Sequence, residues 1–309
     1  TAAASAVADP HAWLEDVEGA AALTQVKAWN AETLKVLTAM PGFADNRARA
    51  LALLEDDKRI ATPDTVQGGQ VFNLWRDAAN PRGLWRSAPL AGFTAGTPQW
   101  RVLIDVDALG KAEGKSWVWS GATCLAPAYT RCMVGLADGG TDARVWREFA
   151  VTKGQFVPGG FSLPAAKSDV AWAGPDALYV ATDYGKDSLT QSGYARLLKR
   201  WQRGTALKAA KPVAEVPPSD VRITTTVVVD GDRQWPLVVR AHDFYNTEVS
   251  HIAPDGRLVK SPLPNDAVVE DIVDGRLIAK LITPLGTIPA GALVDYDVAT
   301  LLDGRPAPI

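Results

Sequence analysis

The chain has 309 residues, of which 47% are hydrophobic and 22% charged, and this ordinary globular composition argues against a disordered or fibrous protein. Its 32 Lys and Arg nearly balance 35 Asp and Glu, for a net charge of −3, and no block of like charge marks a nucleic-acid-binding surface. No apolar run approaches the roughly 18 residues needed to cross a bilayer, so we expect neither nucleic acid nor a membrane as a partner.

Residues 1–8 are small and mostly apolar. They include Ala6, Val7 and Ala8, a pattern typical of the end of a secretory signal peptide. The pattern indicates a remnant of such a peptide and a periplasmic or secreted protein. A flexible alanine-rich terminus on a cytoplasmic protein is the alternative.

Residues 9–62 form a predicted helical segment, because apolar residues recur there mostly at helical spacing and β-branched runs are few. We expect helices at about 12–39 and 43–56. Pro41 and Gly42 separate them, as a helix end followed by a new start requires.

Residues 63–309 consist of short runs rich in Val, Ile, Trp and Tyr, separated by Gly, Pro, Asp or Asn. The runs fall into five groups of predicted strands: 69–75, 83–90 and 100–106; 117–121, 131–137 and 143–151; 169–173, 177–183 and 194–203; 222–230, 235–242 and 245–252 with an outer strand at 257–260; and 268–273, 276–283 and 291–297. Equivalent strands recur every 45 to 60 residues or so, which is the repeat length of β-propeller blades. Asp274-Gly275 predicts a tight hairpin in the last group. We therefore expect a mainly β protein, with about five propeller blades after a helical segment. A sandwich or several β-domains would give the same number of strands.

The chain has two cysteines, Cys124 and Cys132, separated by a segment that contains Pro127. This layout suits two antiparallel strands joined by a turn, which would allow a disulfide in an oxidising compartment. Two reduced thiols in the core are the alternative. Too few other ligands lie nearby for a metal site.

Residues for catalysis are scarce. Neither Gly-x-Ser sequence, at Ser116 or Ser162, completes the G-x-S-x-G nucleophile motif. The histidines number only three, His11, His242 and His251, and we expect the last two to be exposed at strand ends. No dinucleotide, phosphate-loop or zinc motif is present, so no cofactor or metal is expected.

A propeller can also carry a pair of catalytic carboxylates or an aromatic ligand platform. Carboxylates at the mouth of a propeller channel can hydrolyse glycosides, and the candidates here are Asp183, Asp243, Glu270 and Asp271. Tryptophans can form a platform for a ligand, but those in the predicted strands are better explained by packing between blades. They are Trp75, Trp85, Trp119, Trp146, Trp172 and Trp201.

Three segments resemble a known family. The segment from Asp9 to Asp16 reads DPHAWLED, similar to a D-P-Y-x-W-L-E-D opening, with His11 in place of Tyr. FNLWRD with RGLWR, from Phe72 to Arg86, looks like a first propeller blade, and Trp100 begins a W-x-x-L-x-D-x-D-x-L stretch. Together these segments resemble the amino-terminal half of the prolyl oligopeptidase family of serine peptidases.

The resemblance implies a seven-bladed propeller followed by an α/β-hydrolase domain that carries the Ser, Asp and His triad. It implies that residues 9–62 pack on that hydrolase domain, and that the propeller excludes large folded substrates. The family cleaves short peptides on the carboxyl side of proline. No residue of this chain inherits a triad role, so the chain alone is expected to be inactive. Lys167 and Ser168 are its candidates for the substrate cavity, because a similar strand in the family faces that cavity. A stand-alone binding propeller without a catalytic domain is the competing hypothesis.

Overall fold

The computed structural model describes residues 9–309, and the predicted signal-peptide remnant at 1–8 lies outside them. The chain divides into two compact units. One contains the residues up to Ile60 with Asp77–Ala79, and the other contains Ala61–Arg76 with Asn80–Ile309.

The smaller unit is helical, as predicted. A short 3-10 helix at Ala12–Glu15 is followed by α1 (Ala20–Thr38) and α2 (Phe43–Glu55). The first predicted helix is interrupted before Gly19, which lies against Asp16 so closely that a Cβ there would be 2.7 Å from the carboxylate. Glycine also disfavours a helix interior, which explains the break.

The larger unit is a β-propeller of five blades, which confirms the predicted fold class. Each blade is an antiparallel meander, and the strands of the five blades are as follows: β1 (Thr65–Gln67), β2 (Gln70–Trp75), β3 (Leu84–Pro89) and β4 (Arg101–Asp105); β5 (Trp117–Cys124), β6 (Arg131–Asp138), β7 (Arg144–Ala150), β8 (Gln155–Phe156) and β9 (Ser162–Ala166); β10 (Asp169–Trp172), β11 (Ala177–Ala181), β12 (Leu197–Gln202) and β13 (Lys211–Glu215); β14 (Arg222–Asp230), β15 (Arg233–Ala241), β16 (Thr247–Ile252) and β17 (Leu258–Lys260); β18 (Val268–Val273), β19 (Arg276–Lys280) and β20 (Leu293–Asp297). Short helices α3 (Leu90–Thr94), α4 (Val106–Glu113) and α5 (Val298–Leu302) flank blades 1 and 5, and a 3-10 turn lies at Leu207–Ala209.

The strands that the sequence did not predict are mostly short or carry proline. β8 has two residues, and β9 and β13 contain Pro164 and Pro212. Proline removes a backbone donor and is tolerated mainly in edge strands, and β13 is the edge of its sheet. A pattern that penalises proline therefore misses these outer strands.

The core lies between neighbouring blades and contains most of the strand tryptophans. Trp85 and Trp119 join blades 1 and 2, with ring centroids 4.9 Å apart. Between blades 2 and 3, Trp146, Trp172 and Trp201 are buried in one apolar cluster. These contacts confirm packing between blades for all the strand tryptophans except Trp75, which stacks with Arg86 of its own blade.

The predicted Asp274-Gly275 hairpin is present between β18 and β19, with both residues at positive φ. The Asp230 carboxylate of blade 4 accepts hydrogen bonds from both turn N–H groups, at 3.0 and 2.7 Å. A Cβ on Gly275 would lie 2.8 Å from the Arg233 guanidinium, which is the end of a flexible side chain, so it is the positive φ that favours glycine in this turn.

Candidate functional site: a cationic cleft between three blades

Strand direction brings distant residues to one end of the propeller. Successive strands of a meander alternate in direction, so the starts of first and third strands and the links between blades lie at the same end. Arg144 starts β7, Tyr194 precedes β12 and Arg222 starts β14. Lys167 and Ser168 link β9 to β10. These residues therefore meet, with Asp169, around a cleft of about 260 Å³, which we call the cationic cleft.

The sequence-predicted pair occupies different depths of the cleft. Ser168 is 3% exposed, and its hydroxyl donates to the Ala166 carbonyl at 3.3 Å. Lys167 is more accessible, with its Nζ 4.5 Å from the centroid of the Tyr194 ring and 3.6 Å from a carboxylate oxygen of Asp142. The two residues thus line a cavity together, while their proposed contact with substrate stays a prediction.

Two arginines complete the positive wall. Arg144 lies beside the end of β9, because it pairs with Ala166 in the sheet. Arg222 starts the first strand of blade 4, with its guanidinium 5.8 Å from the centroid of the Tyr194 ring. Within residues 9–309 neither arginine has a carboxylate within ion-pair distance, and the Nε of Arg144 is buried without a hydrogen-bond partner.

Among the described residues, Asp169 is the one carboxylate that lines the cleft. Burial raises its pKa, because desolvation outweighs the hydrogen bond from the Thr225 N–H and the positive charges of Arg144 and Arg222. The Thr225 N–H donates to it at 2.9 Å and thereby ties blade 4 to blade 3. The cleft as a whole carries three cations and one acid, a balance that favours an anionic ligand.

The four carboxylates considered for glycoside chemistry are all exposed. Asp183 accepts hydrogen bonds from Gly185 and Ser188, and Asp243 accepts them from Tyr245 and Asn246, so each of these two caps its own loop. Glu270 and Asp271 lie on β18. None of them lines the cationic cleft.

The expectation that both strand histidines are exposed is wrong, since His242 is half-buried and His251 is buried. His251 is 1% exposed within β16, and its Nε2 lies 2.6 Å from the Tyr296 hydroxyl of blade 5. Burial lowers the pKa of His251 to about 4, so it is neutral at physiological pH. His242 lies at the start of the hairpin loop, 3.9 Å from the Asp220 carboxylate. The burial of His251 depends on its contact with Tyr296 of blade 5, which a local pattern does not contain.

Cys124 and Cys132 face each other directly across β5 and β6 and are joined by a disulfide, with Cα atoms 3.9 Å apart. In the part of the chain that the structure describes, no group of three His, Cys, Asp or Glu is placed to hold a metal ion. No helix among those same residues is long and apolar enough to cross a membrane.

Sequence reasoning found Lys167 and Ser168 but missed Arg144, Asp169, Tyr194 and Arg222. A signal for them existed, because each is the first or second residue of a predicted strand run. Once the runs are assigned to propeller blades, first and third strands begin at one end. Polar residues at the starts of first and third strands are therefore expected to lie close together.

Comparison with known proteins gives a consistent result. The family described as prolyl oligopeptidase, N-terminal beta-propeller domain, matches residues 2–281. An uncharacterized peptidase of Sinorhizobium fredii is 37% identical over 304 residues, which are 95% of this chain and 42% of that protein. An uncharacterized peptidase of Rickettsia prowazekii is 28% identical over 271 residues, 84% of this chain and 37% of that protein.

Among solved structures, a post-proline cleaving enzyme from Rickettsia typhi superposes with a TM-score of 0.85 at 26% identity. The match covers 97% of this chain and 46% of that enzyme. The chain thus spans less than half the length of each of these relatives.

Proposed function

Because the chain belongs to the prolyl oligopeptidase family, as its N-terminal β-propeller domain, we propose that it is the substrate-gating part of a serine peptidase that hydrolyses short proline-containing peptides. The post-proline cleaving enzyme that shares its fold supports this specificity. In this proposal the chain itself supplies neither the nucleophile nor the base. Acyl transfer through a serine ester, with a histidine base and an oxyanion hole, would be performed by the remainder of the polypeptide.

The observation that carries the gating role is the position of the cationic cleft. It lies at the end of the propeller where the links between successive blades are found. Lys167 and Ser168 form the link between blades 2 and 3. A domain that follows the last blade would join the propeller at this same end. A peptide held between the two would then meet Lys167 and Ser168, whereas a folded protein would be excluded by the ring of blades.

The helical unit supports the presence of an α/β-hydrolase domain in the same polypeptide. Its helices expose large apolar side chains, including Leu34 at 59%, Leu53 at 69% and Leu54 at 63%. Exposed apolar surface of this kind marks an interaction site. In our proposal the hydrolase domain covers it.

The test is hydrolysis by the full-length protein that contains this chain. A short blocked peptide with one proline should be cleaved after that proline, and its proline-to-alanine counterpart should not. The same sequence placed in a loop of a folded domain should be cleaved at least about a hundredfold more slowly, as expected where folded substrates are excluded. Equal cleavage of the free and embedded sequences would refute gating. Peptide binding without any hydrolysis would instead favour the stand-alone binding propeller.

Lys167 and Ser168 have a separate test. In the full-length protein, the double variant Lys167→Gln, Ser168→Ala should lower kcat/KM for short peptides. An unchanged kcat/KM would remove both residues from the substrate cavity.

We also propose that the protein works in an oxidising compartment, the periplasm or the exterior. The support is the directly opposed pair Cys124 and Cys132, since disulfides persist mainly in such compartments. Thiol alkylation of the protein in intact cells, followed by mass spectrometry, should leave both cysteines unlabelled until a reductant is added. Labelling of both without reductant would contradict the proposal.

A further inference from the structure

The cationic cleft contains positive charge that the protein itself does not neutralise. Among residues 9–309, Lys167 is the one cation of the three with a carboxylate within ion-pair distance, and that partner, Asp142, is 68% exposed. Arg144 and Arg222 have none within ion-pair distance among residues 9–309. Asp169 is shared between them and carries at most one negative charge.

The unpartnered atom points to a specific ligand chemistry. The Nε of Arg144 is buried and donates to nothing in the described part of the chain, and a buried donor without an acceptor costs free energy that a ligand can recover. Guanidinium groups present donors in a planar fork that matches a carboxylate. Lys167 lies on the same wall and would add a point charge.

The size of the cleft limits the ligand further. At about 260 Å³ it is smaller than the roughly 300–1,000 Å³ typical of sites for drug-sized molecules. It therefore suits one small charged group at the end of a longer ligand. Tyr194 forms an aromatic wall beside that group.

We propose that the cationic cleft is a subsite that binds a carboxylate of the peptide substrate. The inference rests on the proposed peptidase function and adds to it a preference for acidic peptides. The carboxylate has two sources, the carboxyl terminus of the peptide or an Asp or Glu side chain. Arg144 and Arg222 would bind its oxygens, and Lys167 would supply the third charge.

The test uses the full-length protein and two series of blocked peptides that contain one proline. In the first series, each peptide is made as a free acid and as an amide, with the number of residues after proline varied. In the second, an amidated peptide carries Glu or Gln at each position in turn. One pair in one series should show kcat/KM at least about tenfold higher for the carboxylate member, as expected for charge-assisted hydrogen bonds.

Variants assign this preference to the cleft. Arg222→Gln, and separately Lys167→Gln, should bring the carboxylate-to-neutral ratio towards one, while Arg222→Lys should retain part of it. Arg200→Gln is the matched control, because it removes an equal charge from an exposed position on β12 of blade 3, outside the cleft. It should keep the wild-type ratio.

The outcomes separate the inference from the function on which it rests. A wild-type ratio near one for every pair, with peptides still cleaved, would overturn the carboxylate subsite and leave the peptidase proposal standing. A ratio that survives in both Gln variants would overturn it as well. If no peptide is cleaved, the same peptides serve as ligands in calorimetry. A carboxylate preference in affinity that Arg222→Gln removes would then support the subsite although the peptidase proposal had failed, and equal affinities would overturn both.

Discussion

Strand β7 connects two clusters of positive side chains that differ in how they are neutralised. Near one end of the strand, Glu148 is 1% exposed and accepts two hydrogen bonds from Arg203, at 2.8 and 3.0 Å. Arg131 lies 3.4 Å from the same carboxylate, and the Phe161 N–H donates to it at 2.9 Å. Four residues earlier, at the other end, Arg144 belongs to the cationic cleft and has no such partner.

The difference separates a structural cluster from a binding one. Burial acts to raise the pKa of Glu148, but the hydrogen bonds from Arg203 and Phe161 and the charge of Arg131 outweigh it, so the pKa lies below its ordinary value. The carboxylate is therefore charged and saturated, and it fastens blade 2 to blade 3. Arg144 and Arg222 have no carboxylate within ion-pair distance among residues 9–309, and the buried Nε of Arg144 has no hydrogen-bond partner, which suits a ligand.

The largest effect is expected when the ion-pair cluster of Glu148, Arg131 and Arg203, which we call the closed cluster, is disrupted. Glu148→Gln keeps the size of the side chain but removes the carboxylate that Arg131 and Arg203 share, which leaves Arg131 without its charge partner and Arg203 with only the exposed Asp176. Breaking a buried ion pair on one side typically costs about 3–5 kcal/mol of unfolding free energy. Urea unfolding of the full-length protein, followed by tryptophan fluorescence, measures the loss.

The control for this variant is Asp255→Asn, which removes a carboxylate from the exposed ion pair with Arg257. Because exposed pairs contribute little, its urea midpoint should match the wild type. Equal midpoints for Glu148→Gln and Asp255→Asn would show that the buried cluster does not fasten the blades.

His251 provides a third arrangement, a buried base that has no acid beside it and is therefore neutral. Its pKa is about 4 in the fold because of burial, against about 6.5 in the unfolded chain. Between pH 4 and pH 6.5 or so, the unfolded state therefore binds one more proton than the folded state. His251 should leave stability unaffected above pH 6.5 or so, and should lower it by about 3 kcal/mol in all as the pH falls towards 4.

Unfolding of the full-length protein at a series of pH values measures this effect. His251→Phe should remove the contribution, because phenylalanine keeps the ring contact with Tyr296 while the Tyr296 hydroxyl retains Ser261. His11→Asn, at an exposed position of the helical unit, should keep the wild-type pH dependence. A His251→Phe variant with the wild-type pH dependence would show that His251 is not the group responsible.

These three arrangements also show how far the sequence predicts the molecule. Hydrophobic periodicity and turn residues such as Asp274 and Gly275 act locally, so the helices, most strands and the propeller class follow from them. The burial of His251 and the pairing of Glu148 with Arg203 are decided by a neighbouring blade, 45 and 55 residues away in sequence. No local pattern contains that information.

The candidate site was predictable only in part for the same reason. Lys167 and Ser168 came from a family resemblance that concerned a single strand. The arginines that make the site cationic come from blades 2 and 4, and their convergence depends on the propeller topology. Strand starts would have indicated these arginines only after the blade assignment was made.

Asp169 allows a finer test of the cationic cleft, which is the open cluster on β7, because it is the one acid among the described residues that line the cleft. Asp169→Asn keeps an acceptor for the Thr225 N–H. At pH values where the wild-type Asp169 is charged, the variant should raise the carboxylate-to-neutral ratio of kcat/KM by about threefold to tenfold. Since the pKa of Asp169 is raised, the wild-type ratio should increase as the pH falls through it, and that of the variant should not. A pH profile of kcat/KM for one acid and amide pair decides this.

Salt should produce the smallest effect, and it should act on one cluster only. The screening length falls from about 10 Å at 0.1 M salt to about 3 Å at 1 M, and buried pairs are screened much less than accessible ones. Over that range the carboxylate-to-neutral ratio should fall by about half or more, because Arg222 and Lys167 reach solvent. The stability difference between the wild type and Glu148→Gln should stay constant, because the Glu148 side chain is 0% exposed. If salt weakened both clusters alike, the distinction between a closed and an open cluster on β7 would be lost.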